Sequence, residues 1–393
     1  MKLESKAIHF ADRKRGNGCV PSTTPIHTAT TYVYDSMDAL DRIFGGEDEG
    51  QSYGRYDNPT RNALADLVNE LEGGAGAIAC ASGMSALHLG LLAALLDRPK
   101  RVVAANALYG ATTNLLMSVF GPMGVEITLA DVCDLAAFEE AVTEAKPGAV
   151  IMETVSNPLL RVAALDSIAE ICKHANAPLI VDNTFATPML VRPLELGASI
   201  VVHSATKYMA GHGDVLGGVI IADEENFPSI RTLSRTIGPT MSPFDSYLTM
   251  RGIKTMPLRV ERQCANACKV ASWLSEHPKV ERVYFTGDPK HPDAATIARL
   301  FPKTLQGAML AFDLRSAGKS EVFRFMEALK MIVPATSLGD VHTMVLYPAM
   351  ASHREISAKM RHRLGIGDGL IRMSIGIEAV EDIVADLEQA LAQ

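Results

Sequence analysis

The length and composition of the chain indicate a large globular protein with more than one domain. Its 393 residues exceed the size that a single hydrophobic core usually supports, and 48% of them are apolar while 21% are charged. The net charge of −8 and the lack of a basic block argue against nucleic acid or an anionic membrane as the main partner. The first residues contain no apolar signal segment, and no run reaches the ~18 apolar residues of a membrane span. We therefore expect a cytoplasmic protein.

The first 60 residues differ from the rest of the chain. Segments 21–36 and 45–60 are rich in Gly, Pro, Thr and Asp and show little periodicity. A segment of this length without regular structure is not expected to fold alone. We predict that residues 1–60 form an arm that lies across another surface, such as a neighbouring subunit.

From residue 61 the pattern alternates between helices and strands. Residues 61–73 predict an amphipathic helix that ends at Gly73, and residues 82–96 predict a second helix. Continuous apolar, β-branched runs between helices are typical of a parallel sheet that is covered on both faces. The predicted strands are residues 77–81, 101–105, 125–130, 149–154, 179–183, 200–205 and 218–222.

The C-terminal third predicts a second, smaller α/β unit. Residues 245–277 form a long helical pattern that is interrupted near Pro257. Residues 307–314 predict a strand, and residues 381–392 predict an amphipathic helix.

A lysine and an aspartate follow two buried strands of the predicted sheet. Lys207 lies just beyond one strand, where partial burial lowers the pKa of an amine and makes it nucleophilic. Asp182 ends another, and a carboxylate there can keep the pyridine nitrogen of pyridoxal 5′-phosphate (PLP) protonated. Taken singly, Lys207 is more typical of a surface lysine at the start of a loop, and Asp182 is as typical of a helix cap or a metal ligand. Together they predict a PLP site at the carboxyl edge of the sheet, with Lys207 as the attachment point.

The phosphate of such a cofactor needs hydrogen-bond donors. Ser82-Gly83-Met84 directly precedes a helical segment, and helix N-termini bind anions well, while Ser204 and Thr206 can add hydroxyl groups. Gly74-Ala75-Gly76 comes before its strand rather than after it, which excludes a Rossmann dinucleotide site, and no GxxxxGK[ST] P-loop occurs.

Neither the histidines nor the cysteines show a metal-binding pattern. His203, His212 and Asp214 lie on either side of Lys207 without the i, i+4 spacing of a helical metal pair, which favours hydrogen bonding in a loop. We predict no metal site. The cysteines are scattered without Cys-x-x-Cys spacing, which predicts reduced thiols at Cys19, Cys80, Cys133, Cys172, Cys264 and Cys268.

Arg372 opens a strand-like run in the last part of the chain. A guanidinium group at this place is suited to bind the α-carboxylate of an amino acid through two hydrogen bonds. By itself, Arg372 is more typical of a surface ion pair.

Together these motifs resemble the Cys/Met-metabolism PLP-dependent family, which includes cystathionine γ-synthase, cystathionine lyases, methionine γ-lyase and O-acylhomoserine sulfhydrylases. The resemblance implies a fold-type I α/β protein with a mostly parallel, seven-stranded-type sheet. It implies a PLP-binding large domain at residues 61–255 and a smaller C-terminal α/β domain at residues 256–393. The motifs that carry it are residues 53–60, 82–84, 109–112, 153–158, 182–184, 204–213, 250–255, 337–340 and 372–374.

The resemblance also implies a homotetramer built from dimers that share active sites. Tyr53 and Arg55 of the arm would reach the PLP phosphate of the neighbouring subunit. Ser337 and Arg372, together with Tyr53 and Asn157, would bind the substrate. Within one subunit the implied PLP-binding residues are Gly83, Met84, Tyr109, Asn157, Asp182, Thr184, Ser204, Thr206 and Lys207.

The implied reaction begins with loss of the α-proton from an L-amino acid. Lys207 would take this proton and then move a β-proton, and Tyr109 would donate a proton to the group that leaves Cγ. Asp182 would hold the cofactor nitrogen. A 2-oxo acid and ammonia are the expected products, or an exchanged side chain if a nucleophile enters.

Four positions bear on the choice of subfamily, and three of them, Thr336, Ala111 and Arg235, fit none of the familiar subfamilies cleanly. Thr336 stands where cystathionine γ-synthases and γ-lyases typically carry Glu, which weakens the case for a substrate with a distal amino group. Asp340 resembles methionine γ-lyases and sulfhydrylases, but Ala111 stands where methionine γ-lyases typically have Cys. Methionine γ-lyases also carry a Lys-Asp pair where this chain has Ser234-Arg235. Arg235 either adds a cation near the substrate entrance or forms a different ion pair.

We therefore predict γ-elimination from a methionine- or homocysteine-like amino acid. One alternative is γ-replacement by an O-acylhomoserine sulfhydrylase or a cystathionine γ-synthase. Another is a lyase for an oxygen-linked homoserine derivative such as canavanine. A non-enzymatic binding module with a PLP-enzyme fold is disfavoured, because Lys207, Asp182, Tyr109 and Arg372 are all present.

Overall fold

The chain folds into two units, each built around its own sheet. The computed structural model describes residues 1–13, 20–48, 50–352, 354, 359, 361 and 364–393. Within these residues a seven-stranded sheet and a five-stranded sheet each support a separate apolar core. The predicted α/β class, with a large sheet followed by a smaller one, is confirmed.

The N-terminal arm contains more regular structure than its composition indicates. Helix α1 spans Leu3–His9 and helix α2 spans Met37–Gly45. Helix α2 begins at the Ser36 side chain, which accepts the backbone N–H of Ala39, and ends at Gly46 in the left-handed conformation. Because these local caps define α2, the expectation of irregular structure throughout the arm was wrong here. None of the residues of α2 is buried.

The large sheet has the strand order β1-β7-β6-β5-β4-β2-β3. Strand β7 is antiparallel to both β1 and β6, while the other described pairs of this sheet are parallel. Loop 204–217 joins β6 to β7 without a crossover helix, so the chain returns in the opposite direction. The sheet is therefore mostly parallel, as predicted, with β7 as the exception. Its strands are β1 Gly76–Cys80, β2 Arg101–Ala105, β3 Glu126–Ala130, β4 Ala149–Glu153, β5 Leu179–Asp182, β6 Ile200–His203 and β7 Gly218–Ala222.

Helices of the large unit pack against this sheet and begin at recognisable caps. The Asn58 side chain accepts the N–H groups of Thr60 and Arg61 at the start of α3, and Gly73 ends that helix with a φ of 78°. A π-helical turn, Leu116–Phe120, follows α5, and a 3₁₀ turn, Pro193–Leu196, follows α8. The helices are α3 Pro59–Glu72, α4 Gly83–Ala94, α5 Gly110–Leu115, α6 Leu135–Ala145, α7 Leu165–His174, α8 Thr187–Leu190, α9 Phe227–Ile237 and α10 Pro243–Ile253.

Helix α11, Met256–Glu276, connects the two units. Its first turn contains Pro257, and residues 254 and 255 separate it from α10, so the predicted interruption is present. Residues up to Cys264 pack in the core of the large sheet, and residues from Ala267 pack in the second core. Helix α11 thus belongs to both cores, and the domain boundary at residues 255 and 256 stays a prediction.

The second sheet has the order β10-β11-β12-β9-β8. Strands β10 and β11 are parallel, and the remaining described pairs are antiparallel. The predicted strand at 307–314 and the predicted final helix are both present. The elements are β8 Val280–Phe285, α12 Ala294–Leu300, β9 Met309–Leu314, α13 Lys319–Ala328, β10 Val333–Pro334, β11 Met344–Leu346, β12 Leu370–Ser374 and α14 Val380–Leu391.

Over the part of the chain that the structure describes, no helix is long and apolar enough to cross a membrane. The same residues contain no group of three His, Cys, Asp or Glu side chains that could hold a metal ion. Cys19 lies outside the described residues. Free thiols are present at Cys80, Cys133, Cys172, Cys264 and Cys268.

Candidate active site

Three polar side chains end neighbouring strands at one edge of the large sheet. Glu153 ends β4, Asp182 ends β5 and His203 ends β6. Glu153 pairs with Asp182 in the register of β4 and β5, so the two carboxylates leave the sheet side by side. Loop 204–217, which carries Lys207, begins at the same edge. Parallel topology therefore assembles the candidate site where α/β sheets bind their ligands.

The amine of Lys207 lies between the two units. Its Nζ donates a hydrogen bond of 2.9 Å to the Ser337 hydroxyl, which precedes β11 in the second unit. Burial, and then the positive charge of Arg372, lowers the pKa of Lys207 to about 8. An amine with such a pKa is partly neutral near pH 7, so it can act as a nucleophile and as a base.

Asp182 is held by the loop that follows its own strand. The backbone N–H of Thr184 donates to Asp182 Oδ1 at 3.0 Å, and the Thr184 hydroxyl accepts the N–H of Ser204 at 2.8 Å. Burial raises the pKa of Asp182, an effect that a protonated ring nitrogen bound to the carboxylate would oppose. The predicted carboxylate thus lies beside the two loops that carry Thr184 and Ser204.

A buried polar network lies behind Asp182, and sequence analysis missed it. His203 Nε2 contacts Glu72 Oε1 at 2.5 Å, and the Asn183 side chain donates to the same oxygen at 2.9 Å. The Thr154 hydroxyl donates to Asn183 Oδ1 at 2.7 Å. Hydrogen bonding of His203 in a loop was therefore the wrong interpretation, because its partner is a carboxylate at the end of α3. His212 does bond within its loop, to the carbonyl of Ala210 at 2.7 Å.

The N-terminus of α4 faces the start of the Lys207 loop. The Ser82 and Ser85 hydroxyls cap each other's backbone N–H groups, an arrangement that does not involve the N–H groups of Gly83 and Met84. A Cβ at Gly83 would lie 2.9 Å from the Cβ of Ser204, so only glycine permits this approach. The result is a helix N-terminus beside a hydroxyl group, which suits a phosphate.

The Thr206 hydroxyl is already engaged within its loop. It donates to the carbonyl of Gly217 at 3.2 Å and accepts the N–H of the same residue at 3.0 Å. A phosphate oxygen bound here would have to replace the longer of these two hydrogen bonds.

Glu153 connects the two loops that carry Tyr109 and Asn157. Its Oε1 accepts the backbone N–H of Tyr109 at 2.6 Å, and its Oε2 accepts the N–H of Asn157 at 3.2 Å. Burial first, and the facing Asp182 carboxylate second, raises the pKa of Glu153. Glu153 opens one of the family motifs, residues 153–158, but no role was predicted for it. The contacts show that it positions two of the predicted cofactor-binding residues.

Arg372 is buried in the second sheet and points towards the same place. It donates to Asn157 Oδ1 at 3.0 Å and to the carbonyl of Ser337 at 3.1 Å. Its Nε is buried without a hydrogen-bond partner among the described residues. A buried cation with a free donor near Lys207 fits a carboxylate ligand better than the surface ion pair that was the alternative.

The arm residues Tyr53 and Arg55 make their contacts elsewhere in the chain. Arg55 lies over the rings of Tyr53 and Tyr56 and donates to the carbonyl of Arg235 at the end of α9. Tyr53 is 44% exposed. Within one chain, the contacts of Arg55 are thus with the arm and α9.

The structure gives the surroundings of the four positions that bear on the subfamily. The Asp340 carboxylate faces loop 204–217, because a Cβ at Gly213 would lie 2.5 Å from its Oδ2, so it supports the Lys207 loop. Ala111 lines a cleft of about 1250 Å³ that also includes Tyr109, Glu153 and Asn157. Arg235 forms an ion pair with Asp57. Thr336 is exposed, and the structure does not explain its identity.

The donor set fits PLP and defines a class of protein. An amine of lowered pKa, a carboxylate at the strand end, a helix N-terminus beside hydroxyl groups and a buried arginine with a free donor are the groups that an amino-acid-converting PLP enzyme requires. The fold and the site thus describe a fold-type I PLP-dependent enzyme.

Comparison with known proteins identifies the family. Residues 4–392 match the model of the Cys/Met metabolism PLP-dependent enzymes, and the chain belongs to this family. It is 39% identical to the L-methionine gamma-lyase of Fusobacterium nucleatum subsp. polymorphum, over 99% of this chain and 98% of that one. It is 38% identical to the O-succinylhomoserine sulfhydrylase of Pseudomonas aeruginosa, over 93% and 90% of the two chains.

A solved structure shows the same fold over the whole chain. The cystathionine gamma synthase of Xanthomonas oryzae pv. oryzae, in complex with aminoacrylate and cysteine, superposes with a TM-score of 0.92. The two are 35% identical, and the match covers 100% of this chain and 98% of that one. The predictions of the family, of a PLP-dependent enzyme and of PLP as its cofactor are thereby confirmed.

Proposed function

We propose that the protein catalyses γ-elimination from a γ-substituted L-amino acid of the methionine or homocysteine type. The observation that carries the proposal is the arrangement of Lys207, Ser337 and Arg372, which places a base beside a buried carboxylate-binding group. Lys207 Nζ lies 2.9 Å from the Ser337 hydroxyl, and Arg372 donates to the carbonyl of the same serine. A substrate carboxylate held by Arg372 would bring its Cα close to the lysine amine.

Each predicted site residue has a role that its surroundings support. When bound, PLP withdraws electrons from the carbon atoms next to the substrate nitrogen. Lys207 takes the α-proton and then moves a β-proton, because its lowered pKa keeps part of the amine neutral. Tyr109, held by Glu153, donates a proton to the departing group. Asp182 would hold the ring nitrogen of the cofactor, and Asn157 would hold its ring hydroxyl.

The cofactor phosphate would bind between α4 and the loop before Lys207. The N–H groups of Gly83 and Met84 lie outside the capping box, and Ser204 packs against Gly83. Thr206 would add its hydroxyl group to this phosphate site. Thr184 would support the site indirectly, because its hydroxyl accepts the N–H of Ser204.

The exposed arm favours a second copy of the chain as a binding partner. Helix α2 has no buried residue, and two of its large apolar side chains, Met37 and Phe44, are 76% and 61% exposed. Exposed apolar side chains on a short, locally capped helix favour a protein interface. We propose that the arm crosses to a neighbouring subunit, where Tyr53 and Arg55 reach its PLP phosphate, in a cytoplasmic homotetramer of such dimers.

γ-Replacement is the second candidate. Its support is the identity to an O-succinylhomoserine sulfhydrylase and the structural match to a cystathionine gamma synthase. A lyase for an oxygen-linked homoserine derivative such as canavanine is a further candidate, supported by the cleft of about 1250 Å³ that Tyr109 and Ala111 line.

A substrate panel separates these candidates. Purified enzyme is supplied with methionine, homocysteine, cystathionine, O-acylhomoserines and canavanine, with and without an added thiol. Release of 2-oxobutanoate and ammonia without a thiol supports γ-elimination. Pyruvate indicates β-elimination, a thioether product indicates replacement, and homoserine from canavanine indicates a C–O substrate; each of these as the main product contradicts the proposal.

A complementation experiment tests the shared site. Chains carrying Lys207→Ala and chains carrying Arg55→Ala are each expected to be nearly inactive. Mixed after partial dissociation, they should regain about a quarter of the wild-type activity if Arg55 acts on the neighbouring subunit, because random pairing restores one intact site in half of the dimers. Absence of recovery, with mixed dimers verified by mass, contradicts a shared site.

A further inference from the structure

We propose that Arg235 and Asp57 form an ion pair that positions Arg55 of the arm for the cofactor phosphate of the neighbouring subunit. The inference rests on the proposed function, in which the arm completes the site of a second copy. It assigns a role to Arg235, and it makes Asp57 and Arg235 positioning residues that act through Arg55.

The ion pair connects the arm to helix α9. Arg235 lies in the last turn of α9, and its Nη2 is 2.8 Å from Asp57 Oδ2. The other carboxylate oxygen of Asp57 accepts a hydrogen bond of 3.3 Å from the Asn62 side chain. Asp57 directly precedes Asn58, which caps α3. The pair therefore fixes the point at which the arm leaves the large unit.

Arg55 is stacked into the same cluster. Its guanidinium carbon lies 4.6 Å from the ring centre of Tyr56 and 5.7 Å from that of Tyr53. The guanidinium carbon of Arg235 lies 5.9 Å from the ring of Tyr56. Arg55 also donates to the backbone carbonyl of Arg235. Two cations thus share one aromatic ring, and one carboxylate lies beside them.

The end of α9 is shaped to accept the stem of Arg55. Gly238 ends the helix with a φ of 75°, in the left-handed region that favours glycine. A Cβ at this position would lie 2.9 Å from Arg55 Cδ and 3.3 Å from its Cγ. The backbone beside Arg235 therefore approaches Arg55 as closely as a residue without a side chain permits.

Charge explains why Asp57 is needed. The cavity beside the cluster has a volume of about 620 Å³. Its charged lining residues are four arginines and two aspartates: Arg55, Arg61, Arg231, Arg235, Asp57 and Asp66. Several guanidinium groups within one cavity repel each other unless a carboxylate lies among them. By pairing with Arg235, Asp57 lets this cation remain beside Arg55. Arg55 donates one N–H to the Arg235 carbonyl and another to the Tyr56 hydroxyl at 3.4 Å, and its remaining donors are available for an anion.

A double-mutant cycle on PLP affinity tests the pair. The variants are Arg235→Gln, Asp57→Asn and the two combined, with Arg235→Lys as a charge-preserving change. PLP is removed from each purified full-length enzyme and titrated back while the absorbance of the bound cofactor is followed. Each single neutralisation is expected to raise the dissociation constant of PLP about tenfold. The combined variant is expected to stay within about twofold of the single ones, because both act on one interaction.

The PLP affinity of two further variants provides the controls. Arg98→Gln removes another ion pair, to Glu225 at the start of α9, and should leave PLP affinity unchanged. Arg235→Lys should lose about threefold or less, because its charge can still reach Asp57. Unchanged affinity in the single variants, multiplied losses in the combined variant, or an equal loss in Arg98→Gln would each overturn the inference.

This result is independent of the substrate. If the enzyme eliminated none of the tested amino acids but showed the coupled loss of PLP affinity, the proposed function would fail and the ion pair would stand. If elimination occurred and PLP affinity were unaffected, the reverse would hold.

Discussion

The sheet edge and the N-terminal arm both carry predicted site residues, but they are built in opposite ways. At the sheet edge, Asp182 and Glu153 are fixed by the strand ladder and by hydrogen bonds within one chain. In the arm, Tyr53 is 44% exposed and α2 buries none of its residues. One chain thus organises by itself the groups that we propose to react, whereas the groups that we propose for the phosphate would need a second surface.

Lys207→Ala should produce the largest effect. Without the amine, no group at this place can move the α-proton, so kcat for elimination should fall at least ~10³-fold. The measurement is 2-oxo acid release, together with the mass of the protein after borohydride treatment, which should show no bound cofactor. Added methylamine should restore part of the activity by replacing the missing base.

A matched control for this variant is Lys173→Ala in the last turn of α7, which should retain full activity. Residual activity of Lys207→Ala within tenfold of wild type would show that the sheet edge is not the reacting region.

Asp182→Asn should lower kcat by about 10²-fold. The amide keeps the shape of the side chain and its contact with Thr184, but it carries no charge to hold a protonated ring nitrogen. Initial rates at saturating PLP give the measurement. Asp313→Asn removes a half-buried carboxylate in the second unit, which accepts a hydrogen bond from the Tyr284 hydroxyl, and should change kcat less than twofold. Equal losses in the two variants would indicate general destabilisation.

The same contrast explains what could be predicted from sequence. Lys207 and Asp182 were predictable because parallel strands bring their carboxyl ends to one edge, a rule that needs no coordinates. The antiparallel return of β7 was not, since its apolar run is the same in either direction. The partners of His203 and Glu153 were also beyond prediction from the residues, because Glu72 and Tyr109 lie 131 and 44 positions away in the chain. The arm residues had no local signal, and their roles came only from the family resemblance.

The value of kcat should rise about tenfold between pH 7 and pH 9. Burial and the charge of Arg372 lower the pKa of Lys207 to about 8, and only the neutral amine can accept the α-proton. The neutral fraction therefore rises as the pH passes through this value, and kcat should rise with it. Arg372→Met removes a positive charge and should move the midpoint to higher pH. A flat profile from pH 7 to pH 9 would contradict the role of the lysine as a base.

Phe44→Ser should leave kcat nearly unchanged, the smallest effect on turnover among these variants, but it should weaken the assembly of subunits. Phe44 is 61% exposed on α2, so the folded chain loses little buried area, and its free energy of unfolding should change by at most ~0.5 kcal/mol. If α2 packs on a neighbouring subunit, the dissociation constant of the assembly should rise about tenfold, as measured by sedimentation velocity over a dilution series.

Leu96→Ser removes another exposed apolar side chain, located after α4, and should leave the assembly intact. Because the sheet edge is complete within each chain, the assembled fraction of Phe44→Ser should keep the wild-type kcat. A loss of kcat without dissociation would place α2 inside the reacting region and remove the distinction between the two regions.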